Sequence, residues 1–102
     1  MSLSASAPWR RFYGNMPCTI DYPRLTMYQL VAQTAKRVPN LCAYEFMNRK
    51  TSFSAFLRRI DRAAAALYAL GIRKGDRVTI CMPNTPQAVD CFYALSRIGA
   101  VS

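Results

Sequence analysis

The stretch GIRKGDRVTICMPNTPQ, residues 71–87, places two glycines and a lysine beside an apolar run. A phosphate-binding loop needs its glycines between a strand and the next helix, where their N–H groups gather at the helix N-terminus. Here Lys74 and Gly75 come before the apolar run 77–82, and the connection after it, residues 83–86, contains no glycine and two prolines. Since proline has no N–H group, the stretch predicts a reversal of the chain, not a nucleotide site.

The reversal is predicted to be a tight turn followed by a parallel crossover. Gly75 can supply a positive φ angle, and the Asp76 side chain can bond the backbone locally. Residues 77–82 are rich in β-branched and apolar side chains, which indicates a short strand. A helix follows, and residues 100–101 are the apolar start of a second strand. Two strands of one sheet that are joined through a helix run parallel.

The crossover helix is predicted to begin at Pro86, because a missing N–H group is tolerated in a first helical turn. Thr85 or Asn84 is its candidate N-cap, and Gly99 is suited to end it. Its predicted buried stripe consists of Ala88, Cys91, Phe92, Leu95 and Ile98.

The segment 54–70 has the clearest helical pattern upstream of the turn. Ser54 is its candidate N-cap, and Gly71 suits the left-handed position that ends a helix. We interpret the charged residues on its outer side as a solvated face, although three arginines could also bind an anion. The predicted buried stripe is Phe56, Ile60, Ala63, Leu67 and Leu70, and the outer residues are Arg58, Arg59, Asp61 and Arg62.

A helix and a hairpin are predicted before this segment. Thr26 and Gln29 have the spacing of a capping box, and Pro39 ends the helical pattern that follows them. Residues 41–46 and 51–53 read as the two strands of a β-hairpin, with a polar turn at residues 48–50.

Composition indicates one small domain with a packed core, since 52% of the 102 residues are apolar. Lys and Arg exceed Asp and Glu by 14 to 5, a net charge of +9 that favours anionic partners. The basic residues are dispersed, so we do not expect a nucleic-acid role. Neither a secretory signal at residues 1–7 nor a membrane-spanning run is predicted, which favours a cytoplasmic protein.

The chain has four cysteines and no histidine, which excludes a Cys–His catalytic pair. No C-x-x-C pair is present, so zinc spacing is missing. Two disulfides would be possible in a secreted protein. We favour reduced thiols on buried faces, because Cys42, Cys81 and Cys91 lie within apolar patterns.

Residues 1–24 are predicted to form an N-terminal arm, because prolines recur there and periodicity is weak. Its segment PWRRFY, residues 8–13, mixes aromatic and basic side chains. We expect the rings to dock on the protein body while the arginines stay solvated. Peripheral contact with a membrane surface is a second possibility for this segment.

Two long segments closely resemble the start of the adenylate-forming, or AMP-binding, superfamily: LTMYQLVAQTAKRVPNLCAYEF at residues 25–46 and TSFSAFLRRIDRAAAALYALGIRKGDRVTICMPNTPQAVDCFYALSRIGAV at residues 51–101. The resemblance covers residues 8–102 and is most specific over residues 70–86. Residues 8–30 are most similar to long- or medium-chain fatty acyl-CoA synthetases. One departure is Ala55, which stands where the family has a glutamate.

The resemblance implies an α/β fold, the incomplete N-terminal part of the large domain of an adenylate-forming enzyme. The implied element order is helix, β-hairpin, helix, strand, helix and the start of a parallel strand. Residues 25–102 would be the truncated start of the adenylation domain. The implied reaction of the parent enzyme activates a fatty acid with Mg·ATP to an acyl-adenylate, and CoA then forms the thioester.

No residue here matches a catalytic, ATP-binding or metal-binding position of the family, because its Ser/Thr/Gly-rich nucleotide loop and its later motifs are missing from residues 1–102. We therefore assign no catalytic, cofactor-binding or metal-binding residue. An N-terminal fragment that is inactive alone and binds no ATP, Mg²⁺ or CoA is the leading hypothesis. The alternative is a small basic interaction or anion-binding module that uses Arg58, Arg59, Arg62 and the segment 8–13.

Overall fold

The computed structural model describes residues 7–102 of the chain. The expectation about a signal sequence falls mainly on residues 1–6, outside the described part. The elements are a 3₁₀ helix (Pro8–Phe12), helix α1 (Met27–Arg37), strands β1 (Cys42–Phe46) and β2 (Arg49–Ser52), helix α2 (Phe53–Ala69) and helix α3 (Pro86–Ile98). The order of α1, the hairpin, α2 and α3 is the predicted one, whereas the 3₁₀ helix was not predicted and the strand predicted between α2 and α3 is not formed.

Helix α1 begins with the predicted capping box. The Gln29 N–H donates to Thr26 Oγ1 at 3.1 Å, and the Thr26 N–H donates to Gln29 Oε1 at 2.9 Å. These two bonds satisfy donors that the first turn of a helix otherwise leaves unpaired. The helix ends at Arg37, two residues before Pro39, as the sequence predicts.

Strands β1 and β2 form the predicted antiparallel hairpin, but its turn is shorter and earlier than expected. Met47 and Asn48 have φ angles of 50° and 63° and make a two-residue reversal. Tight hairpins favour two such left-handed residues because their twist matches that of the strands. Arg49 and Lys50, predicted in the turn, therefore belong to β2.

Helix α2 begins earlier than predicted, because Ser52 and not Ser54 is its N-cap. The Ala55 N–H donates to Ser52 Oγ at 3.2 Å. Phe53, predicted in a strand, is consequently helical. The buried stripe is right at Phe56 and Ile60 but wrong at Leu70, which is 80% exposed where the helix leaves the core. Ala64 is buried instead.

Helix α3 has Thr85 as its N-cap residue and Pro86 in its first turn, as predicted. The predicted stripe holds for Leu95, which is buried, but Phe92 is 39% exposed. Asp90, which the apolar pattern did not mark, is buried. The face of α3 that packs on α2 carries small and polar residues, because the two helices lie close together at the fully buried Ala94.

The core lies among the three helices and the hairpin. The Phe56 ring meets Tyr44 of β1 edge to face at a centroid distance of 5.3 Å, and Tyr93 of α3 at 5.6 Å. Edge-to-face contacts add to the free energy that burial of an aromatic ring supplies. The buried residues of this cluster are Val31, Phe56, Ile60, Ala64 and Ala94.

The predicted parallel crossover is present as one bridge between Arg77 and Val101. The Val78 N–H donates to the Val101 carbonyl at 2.8 Å, and the Val101 N–H donates to the Asp76 carbonyl at 2.7 Å. Residues 77–82 do not form a regular strand, because in the described chain parallel pairing is confined to this bridge. The predicted direction is right and the predicted strand length is wrong.

The four cysteines are free in the structure. The prediction of buried thiols is wrong for Cys42 and Cys81, which are exposed, while Cys91 is half-buried. The rings of the N-terminal arm also differ from expectation, because Trp9 is 48% and Phe12 is 74% exposed. Tyr13, the third ring of the segment 8–13, is half-buried.

The turn before the crossover is built as the sequence predicts. Gly75 has a φ angle of 86°, and the Arg73 N–H donates to Asp76 Oδ2 at 2.7 Å. Gly71 and Gly99 end α2 and α3 with φ angles of 101° and 87°. All three positions lie in the region that side chains other than glycine's rarely adopt.

Gly99→Ala should destabilise the protein more than Gly71→Ala. Each variant places a Cβ at a positive φ angle, which costs about 1–2 kcal/mol. At Gly99 the added Cβ also lies 3.1 Å from Lys74 Cγ, whereas at Gly71 nothing lies within 4 Å. Urea unfolding measures both losses. In a Lys74→Ala background the difference should disappear, and a difference that persists there would show that the contact is not its cause.

Candidate functional site

The connection 83–86 precedes helix α3, at the position where a phosphate loop would lie, but it lacks the backbone cradle of such a loop. The Ala88 N–H donates to the Thr85 carbonyl at 3.1 Å, and the Val89 N–H points at the same oxygen from 3.5 Å. Pro86 has no N–H group. Within the connection 83–86 only Asn84 and Thr85 have an N–H group, so it offers a phosphate at most two backbone donors.

The arginines of α2 are not one cluster. Arg59 Nε donates to Asp90 Oδ2 at 2.9 Å and forms an ion pair between α2 and α3. Asp90 is 6% exposed, and its Oδ1 atom is buried without a hydrogen-bond partner in the described structure. Arg58 and Arg62 are exposed. The interpretation as a solvated face is right for those two and wrong for Arg59.

A second polar network links all three α-helices. Asp61 Oδ1 accepts hydrogen bonds from the Tyr28 hydroxyl at 2.8 Å and from Arg97 Nη1. The Arg97 guanidinium also lies over the Tyr28 ring, 5.1 Å from its centroid. Burial, and then the hydrogen bond to Asp61, raise the pKa of Tyr28 above its usual value. Sequence analysis placed Asp61 on a solvated face and did not find this network.

The part of the chain that the structure describes, residues 7–102, includes the following concave surfaces beside this framework. The apolar groove has a volume of about 550 Å³ and lies between β1 and the first half of α3. The cationic cleft is about 360 Å³ and lies between the hairpin, Arg59 and the start of α3. A third cavity of about 690 Å³ lies between the C-terminal parts of α2 and α3. The residues of the cationic cleft are Tyr44, Phe46, Arg49, Lys50, Thr51, Arg59, Pro86 and Gln87.

The described residues do not fit Mg·ATP. No group of three or more His, Cys, Asp or Glu side chains in residues 7–102 is placed to hold a metal ion. The connection 83–86 offers no backbone cradle for phosphates, and the chain has no histidine for acid–base chemistry at neutral pH. None of the helices in residues 7–102 combines the length and apolar character that crossing a bilayer requires.

The helices, the hairpin and the parallel crossover together define the α/β fold of the N-terminal part of an adenylate-forming enzyme. Residues 31–102 match the family model of the AMP-binding enzymes. The chain belongs to this family. The fold class and the resemblance predicted from the motifs are confirmed.

Curated relatives of the chain include two CoA ligases. A long-chain-fatty-acid–CoA ligase of Bacillus subtilis (strain 168) is 31% identical over 100 residues, which cover 97% of this chain and 18% of the relative. A crotonobetaine/carnitine–CoA ligase of Salmonella typhimurium is 42% identical over 53 residues, 52% of this chain and 10% of the relative. The chain thus spans less than a fifth of the length of these two relatives.

Solved structures agree with this fold. A fatty acyl CoA synthetase of Mycobacterium tuberculosis has a TM-score of 0.71 at 33% identity, over 74% of this chain and 16% of that one. The N-terminal subdomain of NpsA from Klebsiella oxytoca has a TM-score of 0.72 at 28% identity, over 74% and 20% of the two chains. Both likenesses cover the larger part of the present chain.

Proposed function

We propose that this chain is the opening part of an ATP-dependent acyl-CoA synthetase. The observation that carries the proposal is the pair of coverages in the Bacillus subtilis ligase, 97% of this chain but 18% of the relative. The parent reaction would activate a fatty acid as an acyl-adenylate and then transfer the acyl group to CoA. ATP, Mg²⁺ and CoA would be held by residues outside this chain.

The role proposed for this chain is to build one side of the domain, without catalytic, cofactor-binding or metal-binding residues of its own. Two ion pairs join α2 to α3. The hydrophobic core cluster around Phe56 joins these helices to α1 and to the hairpin. The bridge between Arg77 and Val101 gives the crossover its direction. In this proposal residues 1–24 are an arm and residues 25–102 are the start of the adenylation domain.

We also propose a cytoplasmic location and no nucleic-acid partner. Dispersed basic residues support the second point. Peripheral membrane contact through the arm is compatible with the exposure of Trp9 and Phe12. The alternative function, a basic interaction or anion-binding module that uses Arg58, Arg59, Arg62 and the segment 8–13, is weakened because the three arginines do not form one surface: Arg59 is engaged with Asp90 of α3, whereas Arg58 and Arg62 are exposed.

The chain should not bind Mg·ATP with micromolar affinity, because residues 83–86 have no glycine and present few free N–H groups. Isothermal titration calorimetry of the 102-residue chain measures this directly. The control is Lys74→Ala, which removes the lysine nearest the glycine turn and should change nothing. Saturable micromolar binding that the Lys74 variant abolishes would overturn both the assignment of no cofactor site and the structural role.

A further inference from the structure

The cationic cleft gathers positive charge from two separate elements. Arg49 and Lys50 come from β2, and Arg59 comes from the middle of α2. No Asp or Glu side chain lines the cleft, although the chain contains five of them. Arg59 is paired with Asp90, but within residues 7–102 neither Arg49 nor Lys50 belongs to an ion pair, so an anion in the cleft would offset the repulsion between these neighbouring cations.

The register of the hairpin places most of its cleft-lining residues on one face of the hairpin. Tyr44 lies opposite Thr51, and Phe46 lies opposite Arg49, so these four side chains share the face that packs toward α2. Lys50 lies opposite Glu45 on the other face, and at the rim of the cleft. Since no ion pair joins Glu45 to Lys50 in residues 7–102, both hairpin cations are available to a ligand.

Arg59 keeps donors for a ligand although it is paired. Its Nε atom is used by Asp90, and its side chain remains 39% exposed. A guanidinium has five N–H donors in a planar fork, which suits an oxyanion. Asp90 is 6% exposed and lies behind Arg59, where it holds that guanidinium in place.

Neutral donors complete the cleft. The Tyr44 hydroxyl is buried and has no hydrogen-bond partner in the described structure. Thr51 contributes a second hydroxyl to the lining, and Gln87 lies in the first turn of α3, where the helix dipole favours negative charge. A buried hydroxyl without a partner is unfavourable, and an oxyanion would accept its hydrogen bond.

The third cavity is the weaker candidate although it also contains cations. Arg73 Nη1 already donates to the carbonyls of Tyr68 and Ile72, and Arg97 is bound to Asp61. The cavity lies at the C-terminal ends of α2 and α3, where the helix dipoles disfavour an anion.

We propose that the cationic cleft binds a multiply charged oxyanion of the phosphate class, a phosphate ester or pyrophosphate. Arg49 and Arg59 bind its charged oxygens from two sides, and Lys50 adds charge at the rim. Tyr44 and Thr51 donate hydroxyl hydrogen bonds. A volume of about 360 Å³ holds a phosphate group with a small substituent.

Titrating the protein with sodium pyrophosphate at constant ionic strength tests the proposal. We expect a dissociation constant of about 1 mM, with amide NMR shifts confined to the hairpin and the start of α3. The double variant Arg49→Gln/Lys50→Gln should weaken binding about tenfold, since it removes two charge-assisted contacts. The matched control Arg58→Gln/Arg62→Gln removes the same charge from exposed positions of α2 and should change binding less than about twofold.

Equal losses of affinity in the two double variants would show a general charge effect and overturn the site. The absence of NMR shifts up to about 20 mM pyrophosphate, 20-fold above the expected dissociation constant, would also overturn it. Far-UV circular dichroism verifies that each variant is folded. If Arg49→Gln/Lys50→Gln is not folded, Tyr44→Phe replaces it and should show a smaller loss of affinity. Sedimentation with vesicles that contain phosphatidic acid distinguishes a lipid headgroup from a free phosphate as the source of the anion.

Discussion

Phe56→Ala should destabilise the protein by about 3–5 kcal/mol, the range for truncating a buried aromatic side chain. Phe56 is 4% exposed and contacts Tyr44 of the hairpin and Tyr93 of α3 edge to face. Its removal leaves a cavity at the point where three elements meet. Because small domains are stable by about 5–15 kcal/mol in total, this loss is a large part of the free energy of unfolding.

Urea unfolding followed by circular dichroism measures this loss. Phe12→Ala is the matched control, since that ring is 74% exposed and its removal should change stability by less than about 0.5 kcal/mol. A loss of under about 1 kcal/mol at Phe56, the average for any substitution, would mean that the aromatic cluster is not the centre of the core.

Arg59→Ala should destabilise the protein by about 2 kcal/mol, below the range for a fully buried ion pair because the Arg59 side chain is partly exposed. The variant leaves the Asp90 carboxylate 6% exposed with neither oxygen paired. An unpaired buried charge is strongly unfavourable. The expected loss of stability therefore comes mainly from the desolvated, unpaired Asp90 carboxylate and less from the lost attraction between Asp90 and Arg59.

A double variant that removes both charges separates these two contributions. Arg59→Leu/Asp90→Leu removes both charges and should recover most of the stability that Arg59→Ala loses, since paired removal of buried charges is often neutral. Arg58→Ala, on the exposed side of the same helix, should change stability by less than about 0.5 kcal/mol. A double variant no more stable than Arg59→Ala would contradict this origin of the effect.

Local signals predicted most of the elements. The Thr26–Gln29 capping box, the glycines that end α2 and α3 and the Arg73–Asp76 turn are interactions within a few residues, and the structure has them where the sequence indicates them. The N-cap of α2 was placed two residues late, because Ser52 and Ser54 are equally good caps by residue type. The hairpin decides between them, since β2 ends at Ser52.

The polar contacts between helices could not be predicted in the same way. Asp61 and Arg97, like Arg59 and Asp90, are more than 30 residues apart in sequence. Helical periodicity marks such residues as solvent-facing, because it does not show where a neighbouring helix will lie. The cationic cleft depends equally on tertiary packing, since it joins Arg49 of the hairpin to Arg59 of α2.

The central claim, that this chain opens an adenylate-forming enzyme, is tested most directly by reading the DNA contiguous with the codon for Ser102. Val101 pairs with Arg77 through a single parallel bridge, and a strand of ordinary length would extend this pairing, so the reading frame should continue with a few apolar residues and a polar loop. A later strand should be followed by a Ser/Thr/Gly-rich loop that ends in lysine, because phosphate binding needs backbone donors and a cation. A stop codon at once, with no such loop in any frame over the length of the relatives, would contradict the claim.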